Sequence, residues 1–166
     1  LLNKDEPFAV ILPDVLVKPQ LGSTTCDLGD MVTRWDKSNA AQIMVEAVPE
    51  EEVYRYGIVD CSGNEPNAGD SVDMRGVVEK PKPEDAHSRL SVIGRYVLPY
   101  RVMELLSDQP PGAGNEVQLT DAIDRLMQEG KPVQAFRMNG RTFDCGNIDG
   151  WLKANTLLAR EAGYDV

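Results

Sequence analysis

The apolar run at residues 8–12 is the feature that most restricts how this chain can fold. It reads Phe-Ala-Val-Ile-Leu, and Pro13 stops it. A continuous apolar run of this length is typical of a strand buried on both faces, as in the parallel sheet of an α/β protein. Asp14 follows at once. Since ligands of open α/β sheets gather outside the carboxyl ends of the strands, Asp14 is predicted to lie beside a ligand site.

The rest of the chain alternates between strand and helix patterns. Strands are predicted over residues 41–48, 56–60, 76–81, 91–98 and 133–138, and helices near 27–35, 99–106, 120–130 and 151–159. Asn139-Gly140 is typical of a two-residue hairpin turn. No repeat or interdomain linker interrupts the pattern, and 166 residues is the usual size of one domain. The sequence therefore predicts a single α/β domain over residues 1–166, with a mixed, mostly parallel sheet flanked by helices.

The segment at residues 76–81 ends in a carboxylate and an ammonium group side by side. Neighbours on a strand point to opposite faces, so Glu79 and Lys80 can serve one ligand only if the backbone turns between them. Pro81 and Pro83 favour such a turn. A carboxylate accepts hydrogen bonds from sugar hydroxyls, and a lysine suits a phosphate, so the pair predicts a sugar-phosphate site. A solvated surface pair is the alternative.

Two glycines and a second aspartate extend this candidate site. Gly57 and Gly94 lie inside predicted strands, where they allow either close approach of a ligand or a bulge. Asp144 follows a short strand near the end of the chain, much as Asp14 does near its start. A Mg²⁺ ion bound to phosphates typically takes one or two protein carboxylates, so Asp14 and Asp144 are candidate ligands. Capping or turn formation explains Asp14 equally well.

Charge and composition exclude several partner classes. Acidic residues number 27 against 17 Lys and Arg, a formal net charge of −10. This argues against nucleic-acid or anionic-membrane partners, which call for clustered basic residues. Three cysteines without metal-like spacing argue against a disulfide framework or a zinc site. With no membrane-length apolar run and no visible signal peptide, a cytoplasmic location is the default expectation.

Six short segments, taken in order, make the sequence similar to a known family. They are residues 10–15, 56–57, 78–81, 93–98, 117–123 and 144–147. The set resembles the bacterial UTP–glucose-1-phosphate uridylyltransferases, also called UDP-glucose pyrophosphorylases. The resemblance covers essentially the whole chain, although Glu-Lys-Pro by itself is shared with other sugar nucleotidyltransferases.

The resemblance implies a Rossmann-like sugar nucleotidyltransferase fold and a set of site roles. Asp14 and Asp144 would hold Mg²⁺, Glu79 would bind glucose hydroxyls, and Lys80 would contact the sugar phosphate as a catalytic residue.

The resemblance also implies roles for three further residues. Gly57 and Gly94 would let the backbone approach the sugar, and Gln118 would lie near the site within the segment 117–123. The complete protein would be a homo-oligomer, a dimer or a tetramer.

The implied reaction is attack by glucose 1-phosphate on UTP, which forms UDP-glucose and releases pyrophosphate. A site made of Mg²⁺, lysine and hydrogen-bonding groups, without a protein nucleophile, suits such a transfer because the protein mostly positions and neutralises the phosphates.

One departure from the family pattern concerns the beginning of the chain. The family's glycine-rich nucleotide loop, with its arginine and lysine, has no counterpart before Phe8, and the chain does not begin with methionine. The sequence therefore predicts the later part of a larger catalytic domain, inactive alone. Two alternatives stay open: a non-catalytic fragment or regulatory paralogue that binds a sugar nucleotide, and a related enzyme that uses dTTP or ATP.

Overall fold

The computed structural model of the chain describes residues 2–4, 6–20, 22 and 24–166, and of Ala113 the backbone only. The strands are β1 (Phe8–Ile11), β2 (Val15–Lys18), β3 (Ala41–Ala47), β4 (Gly57–Asp60), β5 (Ser71–Asp73), β6 (Gly76–Glu79), β7 (Leu90–Leu98), β8 (Val133–Arg137) and β9 (Arg141–Asp144). The α-helices are α1 (Asp27–Ser38), α2 (Arg101–Ser107), α3 (Leu119–Gln128) and α4 (Ile148–Glu161). Short 3₁₀ helices span Glu50–Arg55, Pro83–Asp85 and Ala113–Asn115.

The main sheet is organised by its longest strand, β7. The strand order is β5–β8–β3–β7–β4–β6, and β1 also pairs with β7. β3 follows one edge of β7. On the other edge β1 pairs with residues 95–98 of β7, and β4 pairs with Ser91 near the start of β7. β1 and β4 therefore share one edge of β7 and leave a gap between them.

Helices cover both faces of this sheet. On one face α1 packs its buried Met31 among Met44 of β3, Ile93 of β7 and Phe136 of β8. The larger core cluster includes side chains of α2 and α3 packed with other residues of β3, β4 and β7. This layered arrangement confirms the predicted mixed α/β architecture. None of the described helices has the length and apolar character needed to cross a membrane.

The expectation of a mostly parallel sheet is wrong for the described strands. β3 and β8 run parallel, whereas β7 runs antiparallel to β1, β3 and β4, and the β4–β6 and β5–β8 pairs are also antiparallel. The apolar run at residues 8–12 misled the prediction because β1 alternates between half-buried and exposed residues, with Ile11 54% exposed. An unbroken apolar run does not by itself distinguish a doubly buried strand from an antiparallel one.

The hairpin predicted at Asn139-Gly140 is also absent from the described residues. β8 pairs with β3 and β5 in the main sheet, whereas β9 pairs with β2 in a separate two-stranded sheet. The connection is fixed by the buried Asp27 of α1. Its carboxylate accepts hydrogen bonds from the backbone N–H groups of Asn139 (3.0 Å) and Gly140 (3.3 Å) and from the Asn139 side chain (3.3 Å).

Asp27→Ala is predicted to lower the free energy of unfolding by about 2–3 kcal/mol, because it removes charge-assisted hydrogen bonds and leaves the partly buried N–H groups of Asn139 and Gly140 unpaired. Urea denaturation measures the change. Asp36→Ala, on an exposed position of the same helix, is the matched control and should stay within about 0.5 kcal/mol of the unaltered protein. Equal losses in the two variants would contradict this role for Asp27.

Candidate active site

A cavity of about 350 Å³ opens at the gap between β1 and β4 along the edge of β7. Its lining includes backbone or side-chain atoms of Gly57, Gly94 and Tyr96. The charged side chains that line it are Asp14, Glu46, Arg55, Glu79, Lys80 and Asp144. The described lining thus places four carboxylates and two cations around a single space. Four of the seven residues predicted from the sequence are among these six.

Glu79 and Lys80 reach the same cavity because the backbone turns between them. Lys80 has a left-handed conformation, with φ of 48°, and its N–H group donates to the carbonyl oxygen of Tyr56 at 3.0 Å. The Lys80 ammonium lies 3.6 Å from Glu79 Oε1. The turn predicted from Pro81 and Pro83 thus places a carboxylate beside an ammonium group in one cavity.

Gly57 leaves the space into which the Glu79 side chain fits. A Cβ atom at Gly57 would stand 3.1 Å from Glu79 Oε2 and 3.0 Å from Cγ2 of Thr120. The Thr120 hydroxyl donates to Glu79 Oε2 at 3.2 Å, and the Glu79 side chain is 15% exposed. At Gly57 the closest approach is therefore made by protein side chains, which hold the carboxylate in place.

Gln118 is not among the described residues that line the cavity, so its predicted role stays a prediction. It directly precedes α3, and its carbonyl oxygen accepts a hydrogen bond from Gln109 Nε2 at 2.8 Å. Its side-chain amide donates to Glu116 at 3.4 Å. The segment 117–123 reaches the cavity through Thr120, a residue that sequence reasoning missed although it lay inside a matching segment.

The two-stranded sheet brings Asp14 and Asp144 together. Val15 of β2 lies opposite Asp144 of β9, and the N–H group of Cys145 donates to the Asp14 carbonyl oxygen at 2.7 Å. Asp14 Oδ2 and Asp144 Oδ1 flank Gly146, each 3.2 Å from the point where a Cβ atom would stand. The described residues hold no cluster of three or more potential metal-ligating side chains. Two converging carboxylates nevertheless fit Mg²⁺ that is bound mainly through phosphates.

Arg95 fixes the turn that carries Asp14. Its guanidinium donates to the carbonyl oxygens of Leu12 (2.8 Å), Gly94 (3.1 Å) and Val15. Burial lowers the pKa of Arg95, although its ordinary pKa is so high that the charge is kept. Arg95 therefore orders three carbonyl groups around the segment from which Asp14 projects.

Position 94 requires glycine for two reasons: its backbone conformation and the nearby Leu12 side chain. Its φ of +70° favours glycine, and a Cβ atom there would lie 2.9 Å from the Leu12 side chain. The sequence predicted close approach of a ligand to Gly94. In this structure Leu12 occupies the direction of the missing side chain, and the Gly94 carbonyl oxygen accepts from the Leu12 N–H group at 2.9 Å.

Arg55 was not predicted from the sequence, although it lies directly before the matching Tyr56-Gly57 segment. Its guanidinium stands 3.3 Å from Asp144 Oδ2 and 5.4 Å from the centre of the Tyr56 ring. The contact with Asp144 joins residues 89 positions apart in the chain.

Glu46 was also missed. It lies near the end of the largely buried strand β3, and its carboxylate accepts a hydrogen bond from the Thr142 hydroxyl. Burial raises the pKa of Glu46, against the opposing effects of the Thr142 hydrogen bond and the charge of Arg137. A charged residue inside an apolar strand was the available signal.

The mixed sheet, the paired aspartates and the Glu-Lys turn meet at one cavity of an α/β domain. Residues 1–161 match the model of a family described as nucleotidyl transferase, and the chain belongs to this family.

Particular relatives agree with the resemblance drawn from the six segments. The chain is 49% identical over 151 residues to the UTP–glucose-1-phosphate uridylyltransferase of Escherichia coli (strain K12), which covers 90% of this chain and 49% of the relative. It also resembles a solved UDP-glucose pyrophosphorylase from Acinetobacter baumannii, with 52% identity, a TM-score of 0.83, and coverage of 95% and 52% of the two chains. A UDP-glucose pyrophosphorylase complexed with UDP-glucose matches with 35% identity and a TM-score of 0.84, over 95% and 57%. The chain thus spans about half the length of these relatives.

Glu46→Gln is predicted to remove a pH-dependent loss of stability. Because burial raises the folded-state pKa of Glu46, the folded state holds more protons than the unfolded state as the pH rises from about 4.3 to the raised pKa. Over that interval the unaltered protein should lose stability relative to Glu46→Gln, and above it the difference should stay constant. Urea denaturation at a series of pH values measures this difference. The exposed Glu51→Gln is the control, and parallel stability curves for Glu46→Gln and the unaltered protein would refute the assignment.

Proposed function

We propose that the complete protein transfers a uridylyl group from UTP to glucose 1-phosphate, forming UDP-glucose and releasing pyrophosphate. The observation that carries the proposal is the pairing of Glu79 with Lys80 in the cavity that Asp14 and Asp144 also line. A hydroxyl acceptor, a phosphate-binding cation and two carboxylates suit a sugar phosphate and a metal-bound nucleotide. Relatives that are 45–49% identical to this chain are named UTP–glucose-1-phosphate uridylyltransferase. These relatives support UTP and glucose 1-phosphate as substrates over the dTTP, ATP and non-catalytic alternatives.

In this proposal Glu79 binds the sugar and Lys80 binds its phosphate. Thr120 and the open space at Gly57 hold Glu79 Oε2, whereas Glu79 Oε1 faces the ammonium of Lys80. The carboxylate is therefore oriented before the sugar arrives, which reduces the free-energy cost of ordering it on binding. The backbone of Gly94 at the same cavity offers a further contact surface, and Gln118 lies in the segment leading to Thr120.

Asp14 and Asp144 would hold Mg²⁺, whose charge would offset that of the transferring phosphates. The attacking oxygen belongs to the sugar phosphate, so the chain supplies no nucleophile. Its own residues act by position: the β2–β9 register holds the two aspartates as neighbours, and Arg95 fixes the turn before β2. Holding reactants in the right geometry accounts for much of the rate increase in such transfers.

The resemblance to the same family also suggests an oligomeric state, a location and a class of partner. We infer a homo-oligomer, a dimer or a tetramer, acting in the cytoplasm on small molecules. The net charge of −10 makes a nucleic-acid partner unfavourable.

Glu79→Ala in the full-length protein is predicted to raise the KM for glucose 1-phosphate by roughly tenfold or more, because hydrogen bonds to a charged acceptor are lost. The assay follows pyrophosphate release from UTP and glucose 1-phosphate. Glu84→Ala, at an exposed position five residues further along the chain, should leave the KM unchanged. An unchanged KM in Glu79→Ala would exclude the sugar-binding role.

Asp144→Asn is predicted to lower turnover by at least roughly tenfold and to raise the Mg²⁺ concentration needed for half-maximal rate, since even the partners of metal ligands have effects of this size. The exposed Asp149→Asn in the first turn of α4 is the matched control. If Asp144→Asn kept both the turnover and the Mg²⁺ requirement, the two-aspartate site would be wrong.

A further inference from the structure

Arg55 stands at the boundary between two neighbouring cavities. The candidate active site shares Arg55, Tyr56, Thr142 and Asp144 with a second cavity of about 440 Å³ that reaches α4 and includes Lys153. The Arg55–Asp144 contact is therefore part of the wall that separates the two spaces. A movement of the guanidinium changes the surface of both.

The contacts of Arg55 leave it able to exchange partners. Its Nη2 atom lies 3.3 Å from Asp144 Oδ2 and its Nη1 atom lies 3.5 Å from Glu52 Oε2. Its side chain is 39% exposed, so neither ion pair is locked by burial. The Tyr56 ring, 5.4 Å away, supports the guanidinium whichever anion it meets.

Asp144 presents its two oxygens to different groups. Oδ1 accepts from the Gly146 N–H group at 3.0 Å and lies on the side of Gly146 that faces Asp14. Oδ2 accepts from Asn147 Nδ2 at 3.2 Å and meets Arg55. A cation placed beside Asp144 would meet the positive charge of Arg55 at short range. The guanidinium and a divalent cation thus oppose one another at this carboxylate.

The four carboxylates of the candidate active site favour a role for Arg55 in binding a phosphate, away from its present contact with Asp144. A phosphate that enters it comes close to four carboxylates, and the described lining offers Lys80 and Arg55 as cations. Lys80 already lies 3.6 Å from Glu79. A guanidinium presents several N–H donors in a plane that matches phosphate oxygens, so Arg55 is well suited to supply the second positive charge.

Building on the proposed function, we propose that Arg55 is a second phosphate-binding residue for the sugar phosphate, and that it leaves Asp144 to do so when a divalent cation binds that carboxylate. Arg55 then weakens cation binding while the substrate is absent and strengthens sugar-phosphate binding once the cation is present. Binding of the divalent cation and binding of the sugar phosphate are therefore coupled through the Arg55 side chain.

The proposal predicts that Arg55→Ala moves two affinities in opposite directions. Without substrate, Mn²⁺ should bind roughly two- to fivefold more tightly, the effect of removing one exposed ion-pair partner. With Mg²⁺ present, glucose 1-phosphate should bind about tenfold more weakly, the effect of losing a charged hydrogen bond. Electron paramagnetic resonance measures free Mn²⁺, and calorimetry measures glucose 1-phosphate binding, both with the full-length protein.

Two further variants separate this role from a general effect of removing a cation. Arg101→Ala breaks exposed ion pairs with Glu104 of α2 and with Glu129 directly after α3, and should leave both affinities unchanged. Arg55→Lys keeps the charge without the planar donors and should recover the Mn²⁺ affinity more fully than the glucose 1-phosphate affinity.

Three results would overturn the proposal. An unchanged glucose 1-phosphate affinity in Arg55→Ala would remove the phosphate role and leave the proposed function standing. Weaker binding of both ligands would show that Arg55 only holds Asp144 in place, which excludes the exchange. No binding of glucose 1-phosphate by the unaltered protein would refute the proposed function itself, and the phosphate role of Arg55 with it.

Discussion

β7 pairs with β3 along one edge and with both β1 and β4 along the other, and the candidate site depends on this shared edge. Because β1 pairs with residues 95–98 and β4 with Ser91, the backbone around Gly94 lies between two strands that separate from one another. Loops and turns from both strands then project into one gap. Arg95 ties the first of these turns to β7, and the Gly57–Glu79 pairing of β4 with β6 provides the opposite wall.

The parts of the site that sequence predicted are those encoded by short segments. Asp14, Glu79, Lys80 and Asp144 each follow or end a strand, and all four line one cavity. Such local patterns are legible because a strand end, a proline and a charged residue are adjacent in the chain. Thr120, Glu46 and Arg55 were missed since their roles come from partners 41, 96 and 89 positions away. No local pattern specifies contacts of that kind.

The difference between local patterns and contacts of distant residues also explains which predictions of the fold were wrong. The apolar run of β1 predicted a strand correctly, but it could not predict that the neighbouring strand β7 runs antiparallel to β1. That direction depends on how the distant segment that forms β7 enters the sheet. Asn139-Gly140 predicted a sharp change of direction, but Asp27, more than one hundred residues earlier, binds that segment and directs it into a second sheet. Local sequence propensity thus predicted the strand and the turn, but tertiary contacts decided which strands pair with one another.

The two-stranded sheet of β2 and β9 has a mechanical consequence for the paired aspartates. Asp14 and Asp144 adjoin opposite positions of a single ladder, whereas Glu79 and Lys80 belong to the main sheet and the turn after it. A rotation of the small sheet would change the distance between the two pairs while leaving the aspartates at nearly constant separation. The polypeptide thus places Asp14 and Asp144 beside one small ladder, and Glu79 and Lys80 at the edge of the main sheet.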